Sequence, residues 1–224
     1  MKRFLKIGCG AILGFIAITM VVAAIVESNS APTQSIMFLN TGPELRTVTL
    51  EMVGADGKLS DGYYIHSEVA CGQTLVERVP EGDYHIKVWR PDDSLAHSVD
   101  FKVALPDSTQ SNYELYRFDL SADKVFALVN LNFLYEGNSF ASHMSKAVGT
   151  KRERPGVAQM YDGTKPFLIE DTYSSQKFVD VHESLPHDIQ YGNMVYGLFP
   201  IPGKLPEQEF ENYLLKKITD KTLE

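Results

Sequence analysis

Two strands and a tight turn can be read in Leu75-Val76-Glu77-Arg78-Val79-Pro80-Glu81-Gly82-Asp83-Tyr84-His85-Ile86-Lys87-Val88. After the turn, apolar residues alternate with polar ones, which places Tyr84, Ile86 and Val88 on one face of a strand. The turn itself is Pro80-Glu81-Gly82-Asp83, since proline fixes one backbone angle and glycine accepts a positive φ. This pattern predicts a sheet with one buried face and one polar face.

The same period of two continues on both sides of this hairpin. The first strand of the hairpin is predicted to span Gln73–Val79, and further strands are predicted at Ser35–Leu39, Arg46–Val53, His97–Val103, Tyr113–Leu120 and Val125–Tyr135. Turn residues separate them, as in Ala55-Asp56-Gly57-Lys58 and Pro91-Asp92-Asp93-Ser94. About seven short strands with little helical pattern predict a mainly β fold, namely an antiparallel β-sandwich over residues 35–136.

The stretch from Leu75 to Val88 also resembles a hairpin found in two groups of proteins. These are the PEGA-type and the carboxypeptidase-regulatory (transthyretin-like) β-sandwich modules, whose hairpin reads apolar-x-x-Val-Pro-x-Gly-x-Tyr-x-Ile-x-Val. The resemblance implies a β-sandwich fold and a non-catalytic module on an extracytoplasmic protein. It supplies no functional residue that could be carried over to this chain.

The charge of the chain is unevenly distributed. Lys2, Arg3 and Lys6 precede an uncharged run, and the remaining residues include 18 basic and 29 acidic ones, a net charge of −11. Such an acidic surface repels phosphate backbones, so we expect no nucleic-acid partner. The hydrophobic share of 44% is sufficient for a folded core.

The N-terminal segment has the layout of a membrane anchor. Residues 1–6 form a basic tail, residues 7–26 carry no charge, and residues 27–34 are predicted to be a linker. A span of about 20 apolar residues crosses a bilayer as a helix, which makes the membrane the expected partner of residues 7–26. The cations before the span place the N-terminus in the cytoplasm and the following domain outside it, in the periplasm or at the cell surface. Signal-peptide cleavage after Ala24 or Ser30 is the alternative.

The C-terminal third divides into two parts. Residues 137–206 contain many apolar and aromatic side chains without a regular period, which predicts an extended, aromatic-rich arm packed across a surface. Residues 207–222 predict an amphipathic helix, because Phe210, Leu214 and Ile218 recur every four residues.

The densest group of metal-ligating residue types lies between Asp180 and Asp188. Zinc takes His and carboxylate ligands, so His182, His187 and Asp188 are candidate metal ligands. The spacing His-Glu-x-x-x-His is one residue longer than the motif that places two imidazoles on one helical face. An ordinary polar loop is therefore the alternative, and we expect no bound cofactor.

The two cysteines, Cys9 and Cys71, are not expected to pair. Cys9 lies within the predicted membrane span, and Cys71 lies beyond it. We expect Cys71 to be a small buried apolar residue, although a bridge to another molecule is an alternative.

No catalytic motif is found in the sequence. It lacks the Gly-x-Ser-x-Gly elbow and the phosphate-binding glycine loops. We therefore expect a membrane-anchored, non-enzymatic module that binds a protein or an envelope component. One alternative is a metal-binding protein or metal-dependent hydrolase that uses the loop His182–Asp188. The other is a secreted subunit released by signal-peptide cleavage.

Overall fold

A computed structural model describes residues 32–105, 115–135, 156–169, 177–186 and 194–223. Within these residues, which from Gln34 onward belong to one compact unit, it contains eleven strands in three sheets, one α-helix and a short 3-10 helix at Asn132–Leu134. The mainly β fold and the C-terminal helix predicted from the sequence are confirmed. The elements are β1 Thr33–Leu39, β2 Arg46–Val53, β3 Leu59–Val69, β4 Thr74–Pro80, β5 Gly82–Trp89, β6 Leu95–Val103, β7 Leu115–Asp119, β8 Lys124–Asn130, β9 Gly156–Asp162, β10 Lys177–Val179, β11 Val195–Pro202 and α1 Glu207–Leu223.

The first seven strands form a β-sandwich of two sheets. The outer sheet has the order β3-β2-β5-β6, and the central sheet has the order β4-β1-β7. Alternate residues of both sheets meet in one core, which includes Phe38 of β1, Leu50 of β2, Ile86 of β5 and Phe118 of β7. All four of these side chains are fully buried. The alternation read in the sequence therefore marks the residues that fill this core.

A second core lies on the other face of the central sheet. The C-terminal sheet has the order β10-β11-β8-β9. Its residues Phe126 and Leu128 pack with Leu39 of β1, and Met37 lies against the same group. Strand β1 is thus buried on both faces, with Ile36 and Phe38 on one side and Met37 and Leu39 on the other.

Helix α1 covers the opposite face of the C-terminal sheet. Leu214 and Ile218 are buried against Ala127 and Val129 of β8, and Phe210 packs at the side of this cluster. The spacing of four residues that predicted the helix also marks its contact face. The helix therefore docks on its own chain.

The prediction of a wholly antiparallel sandwich is wrong at one place. Strand β7 pairs in parallel with β1, with Ser35 opposite Leu115 and Leu39 opposite Asp119. Parallel neighbours need a long crossover between them, and here strands β2 to β6 provide it. A period of two in the sequence is the same for both directions of pairing, so the direction was not readable from it.

The predicted number of strands in the sandwich agrees with the structure, but two assignments differ. Strand β3 was missed, because Asp61-Gly62 within it is typical of a turn. Strand β8 was assigned to the sandwich, whereas it pairs with β9 and β11 in the C-terminal sheet.

The region predicted as an extended arm contains strands β9, β10 and β11. Two of the prolines that interrupt the apolar pattern of this region, Pro200 and Pro202, lie within strand β11. Strand β10 pairs only with Val195–Gly197 of β11, so Pro200 and Pro202 lie where β11 has passed the end of that neighbour. A residue without an N–H group fits there, since it has no bond to donate on that side.

In the part of the chain that the structure describes, no helix is long and apolar enough to cross a membrane. The predicted anchor at residues 7–26 and the basic tail before it lie outside the described residues.

The sandwich core should depend strongly on Phe38. This ring is fully buried and meets the ring of Phe118 edge to face, with centroids 6.4 Å apart. We expect Phe38→Ala to lower the free energy of unfolding by about 3–5 kcal/mol in urea denaturation. Val76→Ala on β4, where the side chain is 51% exposed, should change it by less than about 0.5 kcal/mol. Equal losses in the two variants would contradict this description of the core.

Candidate functional site

Two buried charged residues lie between the central sheet and the C-terminal sheet. Arg117 and Asp119 are on β7, on the face opposite Tyr116 and Phe118. Arg117 Nε donates to Asp180 Oδ2 at 2.8 Å, and the guanidinium lies 4.9 Å from the ring centre of Phe178. The ion pair therefore joins the sandwich to the segment that follows β10.

Asp119 is held by hydroxyl groups. Its carboxylate accepts bonds from the Thr41 and Ser121 hydroxyls and from the backbone N–H of Thr41. Burial raises the pKa of the Asp119 carboxyl above its ordinary value, and these hydrogen bonds offset only part of the effect.

A cleft of about 250 Å³ opens beside this joint. It is formed by the turn after β3, the segment after β10, strand β11 and helix α1. Its lining includes Cys71, His182, Lys217, Asp220 and Lys221. It is the place in the described structure where a thiol, an imidazole and two amines come together.

Cys71 was predicted to be buried, and it is exposed. Gln73 N donates to Ala70 O at 3.0 Å, and Gly72 has a φ of +72°. These features define a type II turn with Cys71 at the first central position, where the side chain projects outward. The residue is apolar in character, but its position in the turn decides its exposure.

His182 lies at the rim of the cleft and is exposed to solvent. Partial desolvation lowers the pKa of its imidazole, the charge of Asp180 opposes this, and Lys221 adds to the lowering. Lys221 itself is buried, with its ammonium group bonded to the backbone carbonyls of Asp180 and Val181. The amine of Lys221 thus fixes the segment that carries His182.

The predicted metal ligands are only partly within the described structure. His182 is described, whereas His187 and Asp188 lie outside the described residues. Among the residues that are described, no group of three or more His, Cys, Asp or Glu is placed to hold a metal ion. A metal site at these three positions therefore stays a prediction.

A second candidate site is the solvent-facing side of the outer sheet. The parallel rings of Tyr64 and His66 have centroids 6.4 Å apart. His66 Nδ1 lies 3.4 Å from Thr49 Oγ1, and the Trp89 indole N–H donates to the same hydroxyl at 2.9 Å. Together Tyr64, His66 and Trp89 form an aromatic row across β3, β2 and β5.

The charged groups beside the aromatic row bond to one another. Lys87 Nζ donates to Glu51 Oε2 at 2.8 Å, and His85 Nδ1 lies 2.6 Å from Asp100 Oδ1. The centre of this face therefore presents rings and paired polar groups rather than a field of one sign.

His66 lies on β3, and His85 and Trp89 lie on β5. The connection of Trp89 to His66 through Thr49 was missed, because it depends on register. Thr49 lies opposite His66 in one pair of strands and opposite Lys87 in the other.

No family model matches the chain, and neither a curated protein nor a solved structure matches it. The resemblance of residues 75–88 to PEGA-type and transthyretin-like modules therefore stays a prediction.

The ion pair between Arg117 and Asp180 should be costly to break from one side. We expect Asp180→Asn, which keeps the acceptor for Val181 N–H, to lower the free energy of unfolding by about 3–5 kcal/mol because the Arg117 charge stays buried without its counter-charge. The double variant Arg117→Met/Asp180→Asn should recover part of this loss. The measurement is a double-mutant cycle in urea, and additive losses would refute a coupled pair.

Asp119 should give the protein a measurable pH dependence. Its folded pKa is raised above the ordinary 3.8, so its contribution to stability is fully present below that pH and is lost as the pH rises through the folded pKa. Asp119→Asn cannot ionise. Relative to the wild type, its free energy of unfolding should therefore improve as the pH is raised from 3.5 to 7. A relative decline over the same range, followed by chemical denaturation, would contradict the assignment.

Proposed function

We propose that this chain is a membrane-anchored, extracytoplasmic β-sandwich module that binds a protein or an envelope component and has no catalytic activity. The observation that carries the proposal is the aromatic row, in which Tyr64 is 62% exposed on a regular, self-bonded sheet face. Exposed rings on a rigid scaffold are typical of recognition surfaces.

The described groups in and beside the cleft support binding rather than chemistry. Asp119, Asp180 and Lys221 are buried and bonded within the fold. Cys71 and His182 remain at its surface, and no hydrogen bond between them is found among the described residues. A nucleophile and its base are normally within hydrogen-bond reach of each other.

The extracytoplasmic placement rests on the sequence. An uncharged run at residues 7–26, preceded by Lys2, Arg3 and Lys6, favours an anchor with the sandwich outside the cytoplasm. The acidic remainder of the chain disfavours nucleic acid as a partner.

The exposed thiol of Cys71 allows a direct test of this placement. In intact cells that produce the full chain, a membrane-impermeant maleimide should label Cys71, since the side chain projects from a turn. Labelling should disappear in Cys71→Ser, which retains Cys9 as the matched control. Labelling of the wild type only after the cytoplasmic membrane is lysed, with none after the outer envelope alone is opened, would place the sandwich in the cytoplasm and overturn the proposal.

The N-terminal sequence of the membrane-bound and the released protein separates the two extracytoplasmic alternatives. An intact Met1 in the membrane fraction fits an anchor. A new N-terminus after Ala24 or Ser30 in the released fraction fits a secreted subunit.

A further inference from the structure

The aromatic row also indicates the chemistry of the partner. We infer that it binds a neutral saccharide chain, an inference that rests on the proposed function and names its envelope component. The site consists of Tyr64, His66 and Trp89, with the polar groups of Thr47, Glu51 and Lys87 at its sides.

The rings match the apolar part of a sugar. A pyranose is amphipathic, with C–H groups on its faces and hydroxyl groups at its edge. An aromatic side chain can contact such a face while its own polar group bonds at the side. Tyr64 offers 62% of its surface to solvent, which leaves room for such a contact.

Two of the rings are held in place before any ligand arrives. The Trp89 N–H is bonded to Thr49, which is only 4% exposed, and His66 lies against the same hydroxyl. Side chains that are already fixed lose less conformational entropy on binding. A weakly apolar ligand such as a sugar needs this advantage, because it gains little from burial.

The charges select against ionic partners. Lys87 is bonded to Glu51, and His85 is bonded to Asp100. The remaining charged residues that we assign to this face lie on edge strands or at a strand end, namely Glu68, Asp83 and Lys102. A charged polymer would have to break the ion pair between Lys87 and Glu51. The hydroxyl groups of a sugar can instead bond to the lone pairs and protons that this ion pair leaves free on its outer side.

The spacing favours a chain over a single sugar. Tyr64 is opposite Glu51, which is opposite His85, and Trp89 lies four residues further along β5. The Cα atoms of Tyr64 and Trp89 are therefore roughly 16 Å apart, from two strand separations and four residues of rise. Such a span accommodates several linked sugar rings.

Trp89 is the only tryptophan of the chain, so its emission reports directly on this face. We would titrate the full chain, in a zwitterionic detergent without a sugar head group, with cellohexaose and with N-acetylchitohexaose. A saturable change in Trp89 emission with at least one of them is the expected result. A hexamer of galacturonic acid, which is anionic, should bind at least tenfold more weakly.

Variants of Tyr64 test whether the change in Trp89 emission arises from binding at the aromatic row. Tyr64→Ala should weaken the binding at least tenfold, and Tyr64→Phe should retain most of it because the ring remains. Met160→Ala on β9, also at an exposed apolar side chain, is the matched control and should bind like the wild type. Calorimetry on the same samples excludes an optical artefact.

Three outcomes overturn the inference: no response to either neutral hexamer, equal binding of the anionic hexamer, or unchanged binding by Tyr64→Ala. None of them touches the extracytoplasmic placement of the proposed function, which the labelling of Cys71 tests separately. Conversely, cleavage of a bound hexamer, seen by mass spectrometry, would refute the non-catalytic role while leaving the saccharide site in place.

Discussion

The fold depends on one strand that is buried on both of its faces. Strand β1 contributes Ile36 and Phe38 to the sandwich core and Met37 and Leu39 to the core against the C-terminal sheet. Antiparallel sheets often leave one face to water, whereas the C-terminal sheet covers the second face of the central sheet at β1. A shift of one residue in β1 would exchange its residues between the two cores, so both cores specify the same register.

Strand β7, which pairs with β1, buries charged residues on its second face. Strand β7 also lies between two sheets, yet its second face carries Arg117 and Asp119 instead of apolar residues. Each is satisfied by a partner outside its own sheet: Asp180 for Arg117, and Thr41 with Ser121 for Asp119. Buried ion pairs add little net stability compared with apolar packing, but they penalise every arrangement in which the partners do not meet. The interface between the two sheets is thus apolar at β1, whereas at β7 its buried polar groups favour the one arrangement in which their partners meet.

The sequence predicted the residues that alternate and not the sheets to which they belong. Leu75–Val88 and Arg46–Val53 were predicted as strands because each has one buried and one polar face. Strand β8 is buried on both faces, with Phe126 against the central sheet and Val129 against helix α1, and the period of two alone gave no sign of its sheet. The C-terminal helix was predictable because its contact face is a local repeat. The joint at Arg117 was not, since its partner lies 63 residues away.

The aromatic row was also not readable from the local sequence pattern. Its side-chain contacts distinguish it from an ordinary solvated sheet face. Exposed polar residues opposite a core are expected of any antiparallel sheet, and a single exposed tyrosine would need no explanation. Here, however, a threonine hydroxyl that is almost completely buried joins an indole to an imidazole, and the imidazole lies parallel to the phenol ring. Bonds of this kind fix side chains that water alone would leave mobile, and they cost rotamer entropy in the absence of a ligand. That cost is recovered when a ligand finds the rings already arranged, which is why the row, rather than the exposure of any one residue, supports a binding surface.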